Sequence, residues 1–290
     1  MKHYIPIIES ALYGYIPRGE YREQRLIEAA AYSLRLPGKR VRPCLTLAFC
    51  VLCGGEAEKA LPFACAVEMI HAYSLIHDDL PCMDDDDYRR GQPSNHKVYG
   101  EDIALLAGDA LQSMAYVSML SPDAVRGVGA ERAAAAARVL AEKSGLLGMV
   151  GGQTIDLMNE GKRTDLSVLR EMDEKKTACL IEAACMMGCI CAGASDDEIA
   201  AAERYAHAVG IAFQIVDDIL DVISTTDELG KPVGSDADNE KSTYVSLLGI
   251  EKCREEVARL TNEAIDALSA FKGDTTALAD FARKLAVRTK

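Results

Sequence analysis

Residues 71–91, HAYSLIHDDLPCMDDDDYRRG, hold six aspartates within ten positions and two arginines directly after them. The residues at positions 67–76 are apolar enough to form a buried helix that ends at the first aspartates. Neighbouring carboxylates raise one another's pKa unless cations neutralise them, so such a cluster is costly at the end of a buried helix. Taken alone, the run fits a solvated acidic loop and a cation-binding site about equally well.

A second apolar segment that ends in carboxylates, FQIVDDILD, favours the cation-binding interpretation. Asp217 and Asp221 are four positions apart and therefore lie on one helical face. Asp78 and Asp84 are six apart, but Pro81 between them breaks the helix and lets both carboxylates turn to one side. Oxygen ligands suit Mg²⁺, which takes one or two carboxylates and completes its shell with water and substrate phosphate. The two acidic helix ends therefore predict a cage for several Mg²⁺ ions and a diphosphate.

Basic side chains cluster locally although the formal net charge is -13. The guanidinium groups of Arg89 and Arg90 are planar forks that match phosphate oxygens. The segment GKRVRP, residues 38–43, places three cations at the junction of a loop and a helix. A solvated basic turn and a phosphate site are both open for it.

Composition narrows the class of protein. The chain has 290 residues, of which 49% are hydrophobic and 27% charged, enough for a sizeable core. The negative net charge argues against partners such as nucleic acid and against a stable association with anionic membranes, which both call for basic patches. No apolar run approaches the length of a membrane span and the first residues do not begin a signal peptide, so a cytoplasmic location is expected.

Nearly every segment carries helix signals, so the sequence predicts one all-α domain over residues 1–290. Helix N-caps are expected at Ser121, which precedes a proline, and at Ser195, which begins a capping box. Residues 93–100 and the polar stretch 225–240 are expected to be loops. The basic last residues are expected to form a solvated terminus by default, and folding over an anionic site is the alternative.

The motifs, in this order, resemble those of trans-type polyprenyl diphosphate synthases, specifically the bacterial farnesyl diphosphate synthase kind. The resemblance covers nearly the whole chain. It rests on GKRVRP, the longer form of the first aspartate motif, RRG, GMVGGQ, KT, FQxxDDxxD, LGK, KSTY and the basic terminus. One departure is Val245, where such proteins often have proline.

The resemblance implies an isoprenoid-synthase helical bundle around a deep central cavity, usually a homodimer, with Mg²⁺ as cofactor and small-molecule prenyl diphosphates as substrates. The implied metal ligands are Asp78, Asp84 and Asp217, with Asp79, Asp218 and Asp221 close by. The implied ligands of the allylic diphosphate are Arg89, Lys176, Lys231 and Lys241, with Thr177 and Gln214 beside the developing cation. Isopentenyl diphosphate would be held by Lys39, Arg42, His71 and Arg90.

The implied reaction condenses isopentenyl diphosphate with dimethylallyl and then geranyl diphosphate, and it yields (2E,6E)-farnesyl diphosphate and pyrophosphate. The farnesyl product is favoured because Tyr73 lies five positions before Asp78, where a bulky ring limits chain growth in such proteins, with Ser74 beside it. A geranylgeranyl diphosphate synthase of the same family is the alternative. Tyr73 as an ordinary core aromatic is also open.

Three other functions compete with prenyl transfer. A class I terpene cyclase shares the ionisation chemistry, but its second metal motif is usually a mixture of Asn or Asp, Ser or Thr, and Glu. A phosphohydrolase of the His-Asp type would need more metal-binding histidines than the five present. A non-catalytic partner subunit fits poorly with two intact aspartate clusters.

Overall fold

A computed structural model describes residues 1–223 and 242–288 of the chain. The chain divides into two compact units. The first comprises Met1–Leu140 with Met187–Ala194, and the second Ala141–Met186 with Ser195–Lys290. Apart from one two-residue strand pair, the regular elements of the described residues are helices, which confirms the predicted all-α class.

The first unit is built on a long central helix surrounded by shorter ones. In chain order its elements are a 3₁₀ turn Lys2–Tyr4, α1 (Ile5–Gly14), α2 (Gln24–Arg35), α3 (Val41–Leu52), α4 (Ala57–Asp78), β1 (Tyr88–Arg89), β2 (Gln92–Pro93), α5 (Asn95–Tyr99), α6 (Glu101–Met119), α7 (Pro122–Val128) and most of α8 (Ala130–Ser144).

Helix α4 is the core of this unit because it is apolar on nearly every side. It packs most extensively against α6 and α3. Contrary to the sequence-based expectation, its length and composition suffice to cross a membrane, but 67% of its most apolar window is buried inside the protein. Gly108 of α6 leaves no room for a Cβ beside the His77 ring, and this close approach lets His77 Nε2 reach the Leu105 carbonyl at 3.0 Å.

The second unit is organised around another long helix. Its elements are α9 (Met149–Asn159), α10 (Leu166–Asp173), a π-helical turn Glu174–Ala178, α11 (Cys179–Ala192, whose last turns belong to the first unit), α12 (Asp196–Ile223), α13 (Tyr244–Leu248), α14 (Ile250–Ala267), a 3₁₀ turn Leu268–Ala270 and α15 (Thr276–Ala286). Helix α12 packs most extensively against α14 and also contacts α15.

Local signals in the sequence placed several helix ends correctly. The Ser121 side chain accepts a hydrogen bond from the Ala124 amide, as expected for an N-cap followed by proline. Ser195 and Glu198 exchange the reciprocal hydrogen bonds of a capping box. Residues 93–100 were wrongly expected to be a loop, because Asn95–Tyr99 forms a short helix there. The polar stretch 225–240 lies outside the described residues.

Candidate active site

The first aspartate motif folds back on the end of α4. The helix ends at Asp78, and the Asp84 amide then donates to the Asp78 carbonyl at 2.8 Å. The amides of Met83 and Asp85 both donate to the Leu80 carbonyl, which closes the turn. The four residues between Asp79 and Asp84 therefore form a tight turn that returns the Asp84 main chain to Asp78. That the two carboxylates turn to one side stays a prediction.

Asp79, the residue after the end of α4, holds an arginine. It is buried, and its carboxylate accepts hydrogen bonds from Arg89 Nε at 2.8 Å and from Arg89 Nη2. Arg89 Nη2 also donates to Asp86 at 2.8 Å. Burial raises the pKa of Asp79, and the hydrogen bonds and charge of Arg89 oppose that rise. Of the predicted metal ligands, Asp79 is thus the one whose carboxylate orients a predicted diphosphate ligand.

Arg90 lies beside His71 and the basic junction before α3. Its Nη2 is 3.5 Å from His71 Nε2. A Cβ on Gly38 would lie 2.6 Å from Arg90 Nη1, so glycine allows the guanidinium to rest against the main chain there. Burial lowers the pKa of His71 well below its usual value, and the charges of Arg42 and Arg90 lower it further. His71 is therefore a neutral imidazole among arginines, able to donate or accept one hydrogen bond at each nitrogen.

Arg42 carries an unused donor in the same place. Its Nε is buried and has no hydrogen-bond partner among the described residues. Burial lowers the pKa of Arg42 to about 10, the positive charge of Arg90 adds to this, and Glu68 opposes it. Lys39 is exposed at the start of the junction. A buried donor without a partner is costly, so this cluster of cations fits a strongly anionic ligand such as a diphosphate.

The remaining cation of GKRVRP, Arg40, has a structural role that the sequence did not reveal. Arg40 is buried with a left-handed backbone, φ 46°. Its guanidinium donates to Glu68 at 2.7 Å and to the carbonyls of Leu34 and Leu36 at 2.8 and 3.0 Å. Arg40 thereby joins the loop before α3 to α4, and it fixes the main chain that carries Lys39 and Arg42.

In the second unit, α12 presents the second aspartate motif. Asp217 accepts a hydrogen bond from Arg288 Nη2, beyond the end of α15. Asp218 accepts one from the Tyr244 amide at 2.7 Å, which fixes the start of α13. Asp221 is buried one turn further along. The basic end of the chain was expected to be a solvated terminus, but Arg288 contacts the second aspartate motif instead.

The predicted Lys176 and Thr177 lie in the π-helical turn. Lys176 Nζ is 2.5 Å from Asp156 Oδ2 of α9, and half-buried Thr177 follows it. Gly152 of α9 has no room for a Cβ against the Lys176 main chain, so glycine at this position of GMVGGQ permits close helix contact. A π turn widens a helix by one residue and is frequent at functional sites.

Asp173 is a buried acid next to this turn that the sequence did not single out. It is 4% exposed, and burial raises its pKa to about 7 although the Tyr244 and Gln214 side chains favour its ionised form. Asp156 raises the pKa further and Lys176 lowers it. The one signal in the sequence that could have identified Asp173 is its position four residues before Thr177. It brings an acid to Gln214, which was predicted to lie beside the allylic cation.

The predicted floor of the prenyl channel is Tyr73 in α4. Tyr73 is 6% exposed, and its ring meets the His77 ring edge-on at 5.6 Å. Its hydroxyl faces Gln112 of α6 without a well-formed hydrogen bond, and burial raises its pKa to about 12. Ser74 Oγ donates to the His71 carbonyl at 3.0 Å. Lys231 and Lys241, also predicted to hold diphosphate, lie outside the described residues.

The donors of both motifs are chemically suited to Mg²⁺. Asp78 and Asp84 sit on one turn and Asp217 and Asp221 on one helix, and all four offer only carboxylate oxygens. Such hard ligands match Mg²⁺ better than softer metals. An arginine already neutralises Asp217, so cation binding there has a competitor within the chain.

Comparison with known proteins identifies the family. Residues 23–279 match the polyprenyl synthetase family. The chain is 47% identical to the large subunit 1 of the chloroplastic heterodimeric geranylgeranyl pyrophosphate synthase of Arabidopsis thaliana, over 93% of this chain and 73% of that protein. It is 45% identical to the geranylgeranyl diphosphate synthase of Cyanophora paradoxa, over 95% and 92%.

Solved structures agree with this assignment. The crystal structure of an FPP/GFPP synthase from Zymomonas mobilis matches with a TM-score of 0.83 and 36% identity, covering 97% of this chain and 94% of that one. Fold and sequence thus point to the same group of proteins. This chain belongs to the polyprenyl synthetase family and is a trans-prenyltransferase.

Proposed function

We propose that this enzyme adds isopentenyl diphosphate to allylic diphosphates until geranylgeranyl diphosphate is formed, with release of pyrophosphate. The names of the curated relatives support this product. The observation that carries prenyl transfer is the arginine and histidine cluster around Arg42, whose buried Nε has no hydrogen-bond partner within residues 1–223 and 242–288. A cyclase, which binds a single diphosphate, has no use for such a pocket.

The aspartate motifs would hold the allylic substrate. Asp78, Asp84, Asp217 and Asp221 would hold Mg²⁺, which would neutralise charge on the leaving diphosphate oxygens. Arg89, oriented by Asp79, would donate to the same diphosphate. The allylic carbon–oxygen bond then breaks and the bonding pair leaves with the diphosphate, so positive charge develops on the allylic carbon.

The basic junction would hold the second substrate. Lys39, Arg42 and Arg90 would grip its diphosphate, and neutral His71 would add a hydrogen bond. The double bond of isopentenyl diphosphate attacks the allylic carbon to form the new carbon–carbon bond. One proton is then lost to an oxygen of the released pyrophosphate. Lys176, held by Asp156, and Gln214, held near Asp173, would face the developing charge and the leaving group.

Farnesyl diphosphate is a second candidate product, and Tyr73 favours it. The ring is buried five positions before Asp78, where a bulky side chain would limit the length of the product. Farnesyl diphosphate needs one condensation fewer than geranylgeranyl diphosphate, and the same site would carry out each condensation. Four further expectations stay predictions: that the chain is a single domain, that it forms a homodimer, that it is cytoplasmic, and that it does not associate stably with membranes.

Product mass tests the proposal. Purified protein is incubated with Mg²⁺, isopentenyl diphosphate and each of dimethylallyl, geranyl and farnesyl diphosphate, and the products are dephosphorylated and weighed by mass spectrometry. We expect geranylgeraniol from all three primers. If farnesol is the end product and farnesyl diphosphate is rejected as a primer, the enzyme makes farnesyl diphosphate and the geranylgeranyl proposal is wrong. Pyrophosphate release without isopentenyl diphosphate would contradict prenyl transfer.

A further inference from the structure

Three side chains outside the proposed machinery converge beside the first aspartate motif. Asp85 and Asp87 follow Asp84 in its loop, and His96 is the second residue of α5. One ligand atom from each lies within 4.8 Å of the other two. Neither the Mg²⁺ cage nor the diphosphate pocket described above uses any of them.

His96 points an unused nitrogen into this cluster. The residue is 7% exposed, and its Nδ1 lies 3.2 Å from Ser94 Oγ. Its Nε2 is buried and has no hydrogen-bond partner among the residues that the structure describes. Nε2 lies 4.0 Å from Asp85 Oδ1, too far for a hydrogen bond in either tautomer.

The gap between these atoms is slightly wider than a bound zinc ion requires. A zinc ion sits about 2.0–2.1 Å from an imidazole nitrogen and about 2.0–2.2 Å from a carboxylate oxygen. At the tetrahedral angle of a zinc site the two bonded atoms lie roughly 3.4 Å apart. The observed separation is 4.0 Å, and the exposed side chain of Asp85 can turn toward Nε2 to close the difference.

The local charge also favours a cation. Asp85 and Asp87 bring two negative charges, and Lys97 Nζ offsets one of them at 2.6 Å from Asp87 Oδ1. A carboxylate has two oxygens, so Asp87 can bind an ion through one of them while Lys97 holds the other. A proton on His96 is the competing cation, because an imidazolium would pair with Asp85 across the same gap.

We propose that His96, Asp85 and Asp87 form a second metal site, separate from the Mg²⁺ cage and selective for borderline divalent cations such as Zn²⁺ and Co²⁺. Imidazole together with carboxylates suits these ions, whereas the oxygen-only motifs suit Mg²⁺. An ion bound there joins the loop after Asp84 to α5. The chain would thus use a different metal to fix the loop that presents its catalytic carboxylates.

Calorimetric titration of Zn²⁺ into the full-length protein at saturating Mg²⁺ tests the site. We expect one Zn²⁺ per chain beyond the Mg²⁺ sites, with affinity reduced at least about tenfold in Asp85→Asn and His96→Gln, since even ligand-orienting partners contribute that much. Asp86→Asn is the matched control, because it removes the same charge from the same loop and should bind Zn²⁺ as the parent does.

Co²⁺ supplies a second readout in the same variants. Its visible absorption should report a bound imidazole in the parent and in Asp86→Asn and should lose that component in Asp85→Asn. Asp85 is exposed, so its variant decides the question if His96→Gln fails to fold. No Zn²⁺ binding beyond Mg²⁺, or equal weakening in Asp85→Asn and Asp86→Asn, would show that a proton alone fills the gap and overturn the proposal.

Discussion

The guanidinium of Arg288 donates a hydrogen bond to the carboxylate of Asp217, a candidate metal ligand. The same guanidinium lies over the Phe213 ring, 4.1 Å from its centroid, and its Nη2 donates to the Phe213 carbonyl at 3.3 Å. An internal cation therefore pairs with one of the three carboxylates of the second aspartate motif. Binding of Mg²⁺ to Asp217 has to displace it or share the carboxylate.

Arg288→Ala should lower the Mg²⁺ concentration that gives half-maximal activity by about fivefold, which corresponds to roughly 1 kcal/mol for a partly exposed ion pair. The reason is that the competing cation is gone. Arg283→Ala is the control, since Arg283 pairs with exposed Asp280 at 3.3 Å. Titrating activity with Mg²⁺ checks this, and an unchanged or higher half-saturation in Arg288→Ala would mean that Arg288 does not compete with metal.

Arg42→Ala should raise the KM for isopentenyl diphosphate by about tenfold to a hundredfold, the usual loss for a hydrogen bond to a charged group. The KM for the allylic substrate should change little, because Arg42 lies in the first turn of α3 and is absent from the aspartate motifs. Arg42→Lys should recover only part of the loss, since an ammonium lacks the planar fork. Equal increases in both KM values would argue against separate diphosphate pockets.

Asp173→Asn should stabilise the protein at high pH. Folding raises the pKa of the Asp173 carboxyl from 3.8 to about 7. This costs the folded state roughly 4 kcal/mol at a pH where the group is ionised in both the folded and the unfolded protein. The raised pKa means that the folded state binds the proton more tightly, so parent stability falls as the pH rises from about 4 through 7. The melting temperature of Asp173→Asn should therefore exceed that of the parent at pH 8 and match it near pH 4.

The pH dependence of this difference is what distinguishes the explanation. A constant gain at every pH would point to better packing of the amide. No gain at pH 8 would mean that the Tyr244 and Gln214 side chains already compensate the buried charge.

Tyr73→Ala should lengthen the product by at least one isoprene unit, because it removes the ring at the expected floor of the channel. Tyr73→Phe keeps the ring and loses only the hydroxyl, so its product should match that of the parent. Mass spectrometry of the dephosphorylated products measures both. Parent-length product from Tyr73→Ala would show that another helix limits growth and would leave the farnesyl candidate without its structural basis.

The sequence predicted those features of the fold that depend on local chemistry. Helix periodicity predicted the all-α class, and side-chain acceptors beside proline or glutamate predicted the helix starts at Ser121 and Ser195. The turn that returns Asp84 to Asp78 followed from Pro81, whose ring cannot continue a helix. These features involve residues only a few positions apart, so neighbouring residues suffice to specify them.

Other features depend on residues distant in the chain and were therefore missed. Arg40 was counted only as one of the three cations of the basic junction, but Glu68 from another helix binds it in the interior. Asp173 became notable only because Gln214 and Tyr244 pack against it. Arg288 and Asp217 are 71 positions apart, with α13, α14 and α15 between them, and no local pattern encodes their contact.

The central claim is that two aspartate motifs and a separate basic pocket together carry out prenyl transfer. The most direct measurement follows pyrophosphate release from geranyl diphosphate with Mg²⁺, with and without isopentenyl diphosphate, in the parent, Asp78→Ala and Asp217→Ala. We expect release to require isopentenyl diphosphate and to fall by about a hundredfold or more in each variant, because the leaving group loses its electrostatic stabilisation. Turnover near the parent level in either variant, or release that ignores isopentenyl diphosphate, would contradict the account.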